Sequence, residues 1–570
     1  MTSRIPTGPT IAAGTRTRII AFVAGSPCTA GTVEIDSRDL VPCATVPGLK
    51  LVIVHSHFRP GGVRRVIELA TPHLAATWRP RLGEILLVGG EAPDAAWLRH
   101  FRQGVPGRRV ACAIDPALGY FSEQRDRAPA NVERRIAAHL SRILRGSTVD
   151  DCVVWAHNQG LGRNVLVSRA LARVCVAQGV TLVFHHHDWW FDNRWARWPE
   201  MRRAGVRTLA AAARAVLPMG ANIRHAAINR ADARILERHL GRQAAWVPNL
   251  ADAGSTPATA HVCRARRWLS EQLDDGAPVW LMPCRLLRRK NIAEALLLAR
   301  WLRPEAWLVT TGGVTSADEQ PYADALAAAA QHHGWRLRLG MLAGDEWSKP
   351  PLVSLVAASE AVLLTSMQEG FGLPYLEAAA AQRPLLARTL PNIVPDLARF
   401  GFRFPHAYSE LYVDLSLFDA GAERRRQRNR WRAWRQQLPR SCRALAAQPP
   451  FLAAGPSPRC VPFSRLTVVA QLEVLARPPA ESWAACAALN PFLAAWREQA
   501  ARRTLAVSRW PRGCARWLSG SAYARALQHL VRATPAPGLD AGASVRAAGE
   551  FIRAKLATGN QYPLLWTPEP

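Results

Sequence analysis

The feature that most constrains this 570-residue chain is an alternation of short apolar runs with longer alanine- and arginine-rich stretches of helical type. The alternation runs through residues 49–185 and restarts after Trp246-Val-Pro-Asn249. Alternating strands and helices form a parallel sheet with helices on both faces. Two such units in succession predict an α/β fold of two doubly wound, Rossmann-like domains that face each other across a cleft.

The apolar runs give the predicted strands, which are Leu49–His55, Ile85–Gly89, Val110–Ile114, Cys152–Ala156, Thr181–His185, Val279–Pro283, Trp307–Thr311, Arg336–Leu339 and Ala361–Thr365. Beyond residue 412 strand signals fade, and amphipathic patterns predict helices over Glu423–Gln437, Ser464–Ala476, Ala480–Ala500 and Ala522–Arg532. The sequence therefore divides into a leader of uncertain order (1–46), two α/β domains (47–245 and 246–411) and a mostly helical C-terminal extension (412–570).

Composition limits the classes of function. The formal net charge is +30, but the excess is almost wholly arginine, because the chain has only four lysines. Nucleic-acid binding is therefore not expected, since codon usage in a GC-rich genome accounts for the arginines as well as a partner does; peripheral contact with an anionic membrane stays open. No apolar run reaches the roughly 18 residues of a membrane-spanning helix. The scattered cysteines favour a reduced, cytoplasmic protein.

The stretch Ser366–Ala378 carries the strongest functional signal. It places Glu369 and Glu377 on either side of a glycine-rich turn that follows an apolar run and precedes a helix with Pro374 in its first turn. A strand, a glycine turn and a helix N-terminus form a phosphate site. Carboxylates repel phosphate and suit hydroxyl groups instead, such as those of a ribose or of a sugar attached to the diphosphate. The stretch therefore indicates a sugar nucleotide.

The same stretch resembles the Glu-x7-Glu signature of family 4 retaining glycosyltransferases of GT-B fold, which runs Glu-Gly-Phe-Gly-Leu-Pro-x-Leu-Glu-Ala. The resemblance implies that Glu369 lies by the donor sugar and that Glu377 holds the ribose hydroxyls. It also places Gly370, Phe371, Gly372 and Leu373 at the nucleotide sugar. One position departs from the family: Gln382 stands where a glycine usually ends the helix in left-handed geometry, and it is expected to reduce stability.

A departing nucleoside diphosphate needs either a metal ion or fixed cations to stabilise its charge. The chain has no Asp-x-Asp, so metal-bridged binding is unsupported and no metal cofactor is expected. The run Pro283–Asn291 follows a predicted strand and supplies cations. By resemblance, Arg285 and Lys290 bind the diphosphate; the alternative is a basic loop of an arginine-rich protein, and it applies less to the rare Lys290.

Two glycine turns follow predicted strands. Gly61 and Gly62 precede a helical run and could cradle a phosphate through backbone amides, as the family has a Gly-Gly here. Gly312, followed by Gly313, matches a glycine turn that lines the nucleotide site. A plain turn remains the alternative for each pair.

The run His185-His-His-Asp188 ends a predicted strand. Alternation along a strand sends His186 opposite to His185 and His187, which makes a shared metal site awkward. The family often has His-Asp at this point with the His facing the donor sugar, so His187 is the matching residue and His186 the second choice. A structural histidine remains the alternative. His157 and Asn158, at another strand end, are candidates for contact with the acceptor.

These features together predict a metal-independent, retaining glycosyltransferase. By resemblance, the first domain binds the acceptor and the second binds a nucleotide-sugar donor. The acceptor could be a glycan, a lipid-linked molecule or a small molecule, and the protein could sit peripherally at the inner face of the membrane. The alternatives are a GT-B-like nucleotide-sugar epimerase and a catalytically silent scaffold at a membrane surface.

Overall fold

The computed structural model describes residues 19–20, 48–124, 127–251, 257–273, 275–314, 316–344, 348–453, 459–534, 540 and 542–566. Apart from Ile19–Ile20, the predicted leader 1–46 lies outside the described residues.

The first sheet has eight strands in the order β1-β4-β3-β2-β5-β6-β7-β8, all parallel except for β1, which runs antiparallel to β4. Its five predicted strands, β2–β6, are confirmed, and β1, β7 and β8 are additional. The bounds are β1 Ile19–Ile20, β2 Leu49–Val54, β3 Leu82–Gly89, β4 Arg109–Ile114, β5 Cys152–His157, β6 Thr181–His186, β7 Ile223–Ala227 and β8 Ala244–Trp246.

Helices cover both faces of this sheet. Leu51 and Ile53 of β2 point into one buried apolar cluster, whereas Val52 and Val54 point into the other. A strand buried on both faces is nearly all apolar, which explains the continuous run of β2. The helices are α1 Gly62–Thr77, α2 Ala95–Gln103, α3 Pro129–Ile143, α4 Val165–Gln178, α5 Arg197–Arg203, α6 Leu209–Val216 and α7 Arg230–Leu240.

The second sheet has six parallel strands in the order β11-β10-β9-β12-β13-β14. Its four predicted strands are confirmed as β9–β12, and β13 and β14 extend it. The strands are β9 Val279–Met282, β10 Trp307–Thr310, β11 Leu337–Arg338, β12 Ala361–Leu364, β13 Leu385–Arg388 and β14 His406–Tyr408. The helices are α8 Thr259–Leu273, α9 Ile292–Leu302, α10 Gln320–His332, α11 Leu352–Ala358, α12 Leu373–Ala380 and α13 Val394–Arg399.

Residues after 411 form a short antiparallel pair, β15 Tyr412–Asp414 with β16 Cys460–Pro462, and a set of helices. One predicted helix, Ala480–Ala500, is wrong in extent, because Asn490-Pro491 separates it into α16 and α17. The helices are α14 Ala420–Gln437, α15 Val468–Ala476, α16 Pro479–Cys486, α17 Phe492–Ala501, α18 Ala515–Leu518, α19 Gly520–Arg532, α20 Ala543–Leu556 and α21 Pro563–Trp566.

This C-terminal region packs against both sheet units. The indole N–H of Trp78 in α1 donates to the carbonyl of Ala524 in α19 (3.0 Å). On the other unit, the indole N–H of Trp301 in α9 donates to Ser482 of α16 (3.0 Å). Trp434 of the arginine-rich α14 is buried in the first unit's core. Among the described helices, none combines the length and apolarity needed to cross a membrane.

The predicted fold class is confirmed: two doubly wound α/β units are joined by a mostly helical region. In each sheet the strand order reverses beside the first parallel strand, between β2 and β5 and between β9 and β12. Ligands of such sheets bind outside the carboxyl ends of the strands at this switch point. The domain boundaries at residues 245 and 411 stay a prediction.

Candidate active site

Glu369 lies on the turn between β12 and α12. Gly372 closes the turn with a left-handed φ of 75°, and α12 begins at the next residue with Pro374 in its first turn. A Cβ on Gly372 would lie 2.8 Å from the ring of Tyr375, so a glycine is required on both conformational and steric grounds. Phe371 is buried in the second unit's core, and Leu373 packs against the same core. The turn is therefore anchored by its apolar side chains and presents Glu369 to the cleft.

Two cations hold the Glu369 carboxylate. Nη1 of Arg289 lies 3.0 Å from its Oε2, and Nζ of Lys290 pairs with its Oε1. Burial alone would raise the pKa of Glu369, but Lys290 and Arg289 outweigh burial and lower this pKa to about 2. The carboxylate is therefore ionised at neutral pH despite being 9% exposed.

The cations come from the loop after β9, which meets the turn after β12 because β9 and β12 are adjacent at the switch point. Arg285 begins this loop, and burial lowers its pKa, with Arg289 adding to the effect. Gly312 lies against it, since a Cβ on Gly312 would be 3.0 Å from Cγ of Arg285. The structure thus brings together the predicted residues Glu369, Lys290, Arg285 and Gly312. Arg289 was not predicted, because three adjacent cations carry no signal for which of them faces the carboxylate.

A buried polar network supports the cation loop from behind. Asn291 adopts a left-handed φ of 52° and donates to Glu294 (2.7 Å), which Arg388 holds in turn through Nη2 (2.6 and 2.7 Å). Gln471 of α15 donates to Oδ1 of Asn291 (3.1 Å). Thr365 donates to the carbonyls of Lys290 and Asn291 (3.0 Å each). The C-terminal region therefore helps to fix the loop that carries Lys290.

Glu377 differs from Glu369 because no described residue forms an ion pair or hydrogen bond with its carboxylate. Burial raises the pKa of Glu377, and Arg65 and Lys290 oppose the rise only in part. Arg65 lies in the first turns of α1, which begins at Gly62. A Cβ on Gly61 or Gly62 would meet nothing within 4 Å, so both glycines face open space. The structure therefore brings the Gly61–Gly62 turn to the side of the cleft near Glu377.

The first sheet presents histidines at the carboxyl ends of β5 and β6. Nδ1 of His157 lies 3.1 Å from Nε2 of His187, and His186 points away to pair with His225 (3.0 Å). Burial lowers the pKa of His187 well below its usual value, with His185 adding to the effect. These imidazoles are therefore neutral. Next to them, the N–H of Asp188 donates to Oδ1 of Asn158 (2.9 Å).

His157, His185 and His187 are the described residues whose arrangement comes nearest to a metal site, with one ring nitrogen of each within 4.8 Å of the others. Their nitrogens are partly used already. Besides the His157–His187 contact, Nδ1 of His185 accepts from the indole of Trp155 (3.3 Å) and lies 3.3 Å from the Tyr523 hydroxyl. The trio fits a hydrogen-bonded cluster better than a ligand set.

The two sheet units touch at Gly370. A Cβ at this position would lie 2.6 Å from the carbonyl oxygen of His187 and 2.9 Å from Cδ1 of Ile228. Nδ2 of Asn229 donates to the Gly370 carbonyl at 3.4 Å. The structure therefore brings Glu369 and His187, which are 182 positions apart in sequence, to the two sides of one contact.

Two further features mark the same cleft. Nη2 of Arg197 lies 3.5 Å from Oδ2 of Asp318, an ion pair that joins the two units. A cavity of about 420 Å³ opens nearby, lined by Arg59, Val314, Ser316, Ala317 and Gln320. The site is therefore a cleft with one wall from each sheet. We call the strand ends of the first sheet with His157, His187 and Asp188 the histidine wall, and the Arg285–Asn291 loop with the Glu369 turn the charged wall.

Residues 269–402 match the family described as "Glycosyl transferases group 1". This segment holds both glutamates and the charged wall. The assignment agrees with the family resemblance at the coarse level.

Two curated proteins are similar in sequence. The chain is 23% identical over 358 residues to mannosylglucosyl-3-phosphoglycerate synthase of Petrotoga mobilis. This alignment covers 60% of this chain and 65% of that protein. It is 30% identical over 119 residues to the serotype-specific mannosyltransferase WbdA of Escherichia coli, covering 20% of this chain and 14% of that protein. The chain thus spans less than two thirds of the length of both relatives.

Among solved structures, Anabaena Alr3699/HepE in complex with UDP and glucose aligns with 61% of this chain and 83% of its own (16% identity, TM-score 0.42). AviGT4, a glycosyltransferase involved in avilamycin A biosynthesis, aligns with 85% of this chain and 97% of its own (13% identity, TM-score 0.39). At these scores the fold assignment rests on the sheet topology described above.

Proposed function

We propose that this protein transfers a sugar from a nucleotide-diphosphate sugar to an acceptor hydroxyl, with retention of anomeric configuration and without a metal ion. The observation that carries the proposal is the ionised Glu369, held by Arg289 and Lys290 at the switch point of the second sheet and facing the first sheet at His187. Such a group of fixed charges suits a donor whose hydroxyls and phosphates need different partners.

The donor is bound by residues of both units. Arg285 and Lys290 bind the diphosphate, whose negative charge grows as the bond to the sugar breaks. Glu377, without a competing partner, binds the ribose hydroxyls, and Glu369 accepts hydrogen bonds from the donor sugar. Gly61–Gly62 and Gly312 let backbone approach the nucleotide. Because Lys290 pairs with Glu369 in the free protein, donor phosphate shares this ammonium with the carboxylate.

The acceptor is bound at the histidine wall. A neutral His187 can hydrogen-bond a hydroxyl without adding positive charge. The Asp188 carboxylate of the site is engaged by Arg194 (3.0 Å), so we propose no covalent nucleophile and a front-face route in which the departing phosphate oxygen takes the acceptor proton. Contact between the walls excludes water and limits hydrolysis of the donor.

The named relatives support sugar chemistry, since they are described as a mannosylglucosyl-3-phosphoglycerate synthase and a mannosyltransferase. An epimerase would need a sugar nucleotide but no acceptor, and a scaffold would need neither. A reduced, cytoplasmic location with peripheral membrane contact remains part of the proposal. It predicts that the protein co-sediments with anionic vesicles at low salt and is released as salt is raised.

The test is a thermal-shift panel of UDP-, GDP- and ADP-sugars, followed by transfer assays with the stabilising donor in EDTA. We expect one donor to raise the melting temperature and EDTA to leave turnover unchanged. Lys290→Met should lose the shift, because the diphosphate loses a fixed cation, whereas Arg300→Met at the far end of α9 should keep it. No stabilisation by any nucleotide would favour the scaffold, and sugar isomerisation without an acceptor would favour the epimerase.

A further inference from the structure

The histidine wall contains an arginine whose guanidinium has no acidic partner among the described residues. Arg163 lies in the loop between β5 and α4 and is only partly buried. Its guanidinium carbon lies 4.6 Å from the centroid of the Tyr120 ring, and its Nε is buried without a hydrogen-bond partner. Because this guanidinium stacks on an aromatic ring and forms no ion pair with a carboxylate, its N–H groups can donate to a ligand.

Neighbouring arginines on the same wall are neutralised, which makes Arg163 the exception. Each of three has a carboxylate within ion-pair distance: Arg59 with Glu91 (2.7 Å), Arg194 with Asp188 (3.0 Å) and Arg197 with Glu200 (2.6 Å). An arginine-rich composition accounts for arginines on the surface, but not for an unpaired one in a cleft between paired ones.

The surroundings of Arg163 hold charges of both signs. Burial lowers the pKa of its guanidinium to about 10, Arg197 and Arg194 add to the effect, and Tyr120 and Glu200 oppose it only in part. His57, whose Nε2 lies 2.8 Å from the Tyr120 hydroxyl, has a pKa lowered to about 4 by burial and by three arginines, Arg59, Arg285 and Arg163. Arginines from both walls therefore act on the His57–Tyr120 pair, and the Glu91 and Glu123 carboxylates that line the same pocket offset part of their charge. An anion held by Arg163 would offset more of it.

We propose that Arg163 binds an anionic group, a phosphate or a carboxylate, on the acceptor. The proposal rests on the proposed function and deepens it by naming the acceptor class. The donor diphosphate has its own cations on the charged wall, whereas Arg163 follows β5 of the first sheet. A guanidinium offers two parallel N–H donors to such a group, which fixes its orientation as well as its charge. The hydroxyl to be glycosylated then lies on an acceptor that is bound at the histidine wall through its anionic group.

The test uses inorganic phosphate as the probe for the anionic group. Calorimetry measures phosphate binding to the protein after saturation with the nucleoside diphosphate found in the thermal-shift panel. We expect wild type to bind phosphate, Arg163→Gln to weaken it by about tenfold or more, and Arg163→Lys to fall between, because the charge remains and the fork is lost. Arg207→Gln, an exposed arginine of the same unit, is the matched control and should bind as wild type does.

Nucleotide affinity separates the two sources of anionic chemistry. It should be unchanged in Arg163→Gln, which also shows that the variant is folded. If saturation with nucleotide abolishes phosphate binding, or if Arg163→Gln weakens nucleotide as much as phosphate, the site belongs to the donor and the proposal is wrong. If no nucleotide binds, the proposed function fails, but phosphate titration of the free protein still tests the anion site. Loss of phosphate binding in Arg163→Gln supports the site at Arg163, whereas loss of phosphate binding only in Lys290→Met overturns the proposal.

Discussion

The two walls of the cleft bury ionisable groups to a similar degree but leave them in opposite states. On the histidine wall burial lowers the pKa values of the imidazoles, and the neighbouring Asp188 carboxylate opposes this at His187 without restoring its charge. On the charged wall burial favours the neutral form of Glu369 by raising its pKa. The contacts with Lys290 and Arg289 lower the pKa by more, so the carboxylate is ionised. Burial therefore sets the protonation state where the counter-charge is too weak to outweigh it, as at His187, and not where two cations contact the buried group, as at Glu369.

This difference suits the division of labour in the proposed reaction. Negative charge grows on the leaving phosphate, and the charged wall holds fixed cations there before any substrate arrives. The imidazoles of the histidine wall are neutral hydrogen-bonding groups and add no positive charge that would compete for the leaving phosphate. Experiments that act on one wall at a time test this difference between the walls.

The largest expected effect is acid destabilisation that begins in the first sheet unit, which holds most of the buried histidines. Burial lowers the pKa of His55 to about 3 and, with Arg224 adding to the effect, lowers that of His225 to about 4. The unfolded chain binds a proton near pH 6.5 and the folded chain does not, so stability falls as pH drops from about 6.5 towards these values. At pH 5 each such imidazole costs about 2 kcal/mol relative to neutral pH.

Stability has the same sign of pH dependence at Glu369, but the contribution is lost in a lower pH window. Its pKa is lowered to about 2, so its stabilising contribution is present above the unfolded value near 4.5 and is lost only as pH falls towards about 2. Hydrogen exchange at pH 7 and pH 5, corrected for intrinsic rates, should therefore show loosening of β5–β7 before β9 and β12. His225→Gln should reduce the slope of stability against pH. Equal loosening of both sheets would contradict the comparison.

The next largest effect is expected for Glu369→Gln, which keeps the shape of the side chain and removes its charge. Arg289 and Lys290 would lose their carboxylate, and the donor sugar would lose its charged acceptor. We expect kcat to fall by about 10²–10³, as for the loss of one preorganised electrostatic group. Glu377→Gln is the matched comparison and should mainly raise KM for the donor. Near-wild-type turnover of Glu369→Gln would show that the charge of Glu369 does not contribute to sugar transfer.

A smaller effect is expected where the walls touch. In Gly370→Ala the new Cβ would lie 2.6 Å from a backbone oxygen of the histidine wall, so the two walls must separate. We expect a stability loss of about 1–3 kcal/mol and a fall in kcat/KM of about tenfold. Gly513→Ala is the control, because nothing lies within 4 Å of its Cβ position. Urea denaturation and steady-state kinetics measure both, and a Gly370→Ala enzyme with wild-type values would show that the contact does not position the site.

The sequence predicted the strands of the two sheets where apolar runs were long and continuous, as in β2, and missed short ones such as β8 and β14. A three-residue strand has too few positions to show a periodicity, and β8 exists only because β7 offers it an edge. The split between α16 and α17 was likewise missed, although Pro491 could have signalled it.

The site was predictable to the extent that it lies on one motif. Glu369, Gly372 and Pro374 follow from local chemistry, and Lys290 follows from its position after a strand. Arg289, Arg163 and Gln471 were not found, because their roles depend on which side chains meet across 80, 43 and 180 positions (Arg289 with Glu369, Arg163 with Tyr120, Gln471 with Asn291). Among many arginines, only three-dimensional contacts distinguish a paired guanidinium from an unpaired one.

The smallest effect is expected at Gln382, where a substitution should change the stability of the charged wall without changing any of its charges. Gln382 ends α12 with a left-handed φ of 53° and an exposed side chain, the geometry for which the family has glycine. Gln382→Gly should stabilise the protein by about 1 kcal/mol, because glycine adopts this φ without a steric cost. Gln382→Ala should leave stability nearly unchanged, since its Cβ meets the same strain. Urea denaturation separates the two variants, and the pH at which β9 and β12 loosen should not move in either. A glycine variant no more stable than the alanine variant would mean that the helix end relaxes around Gln382.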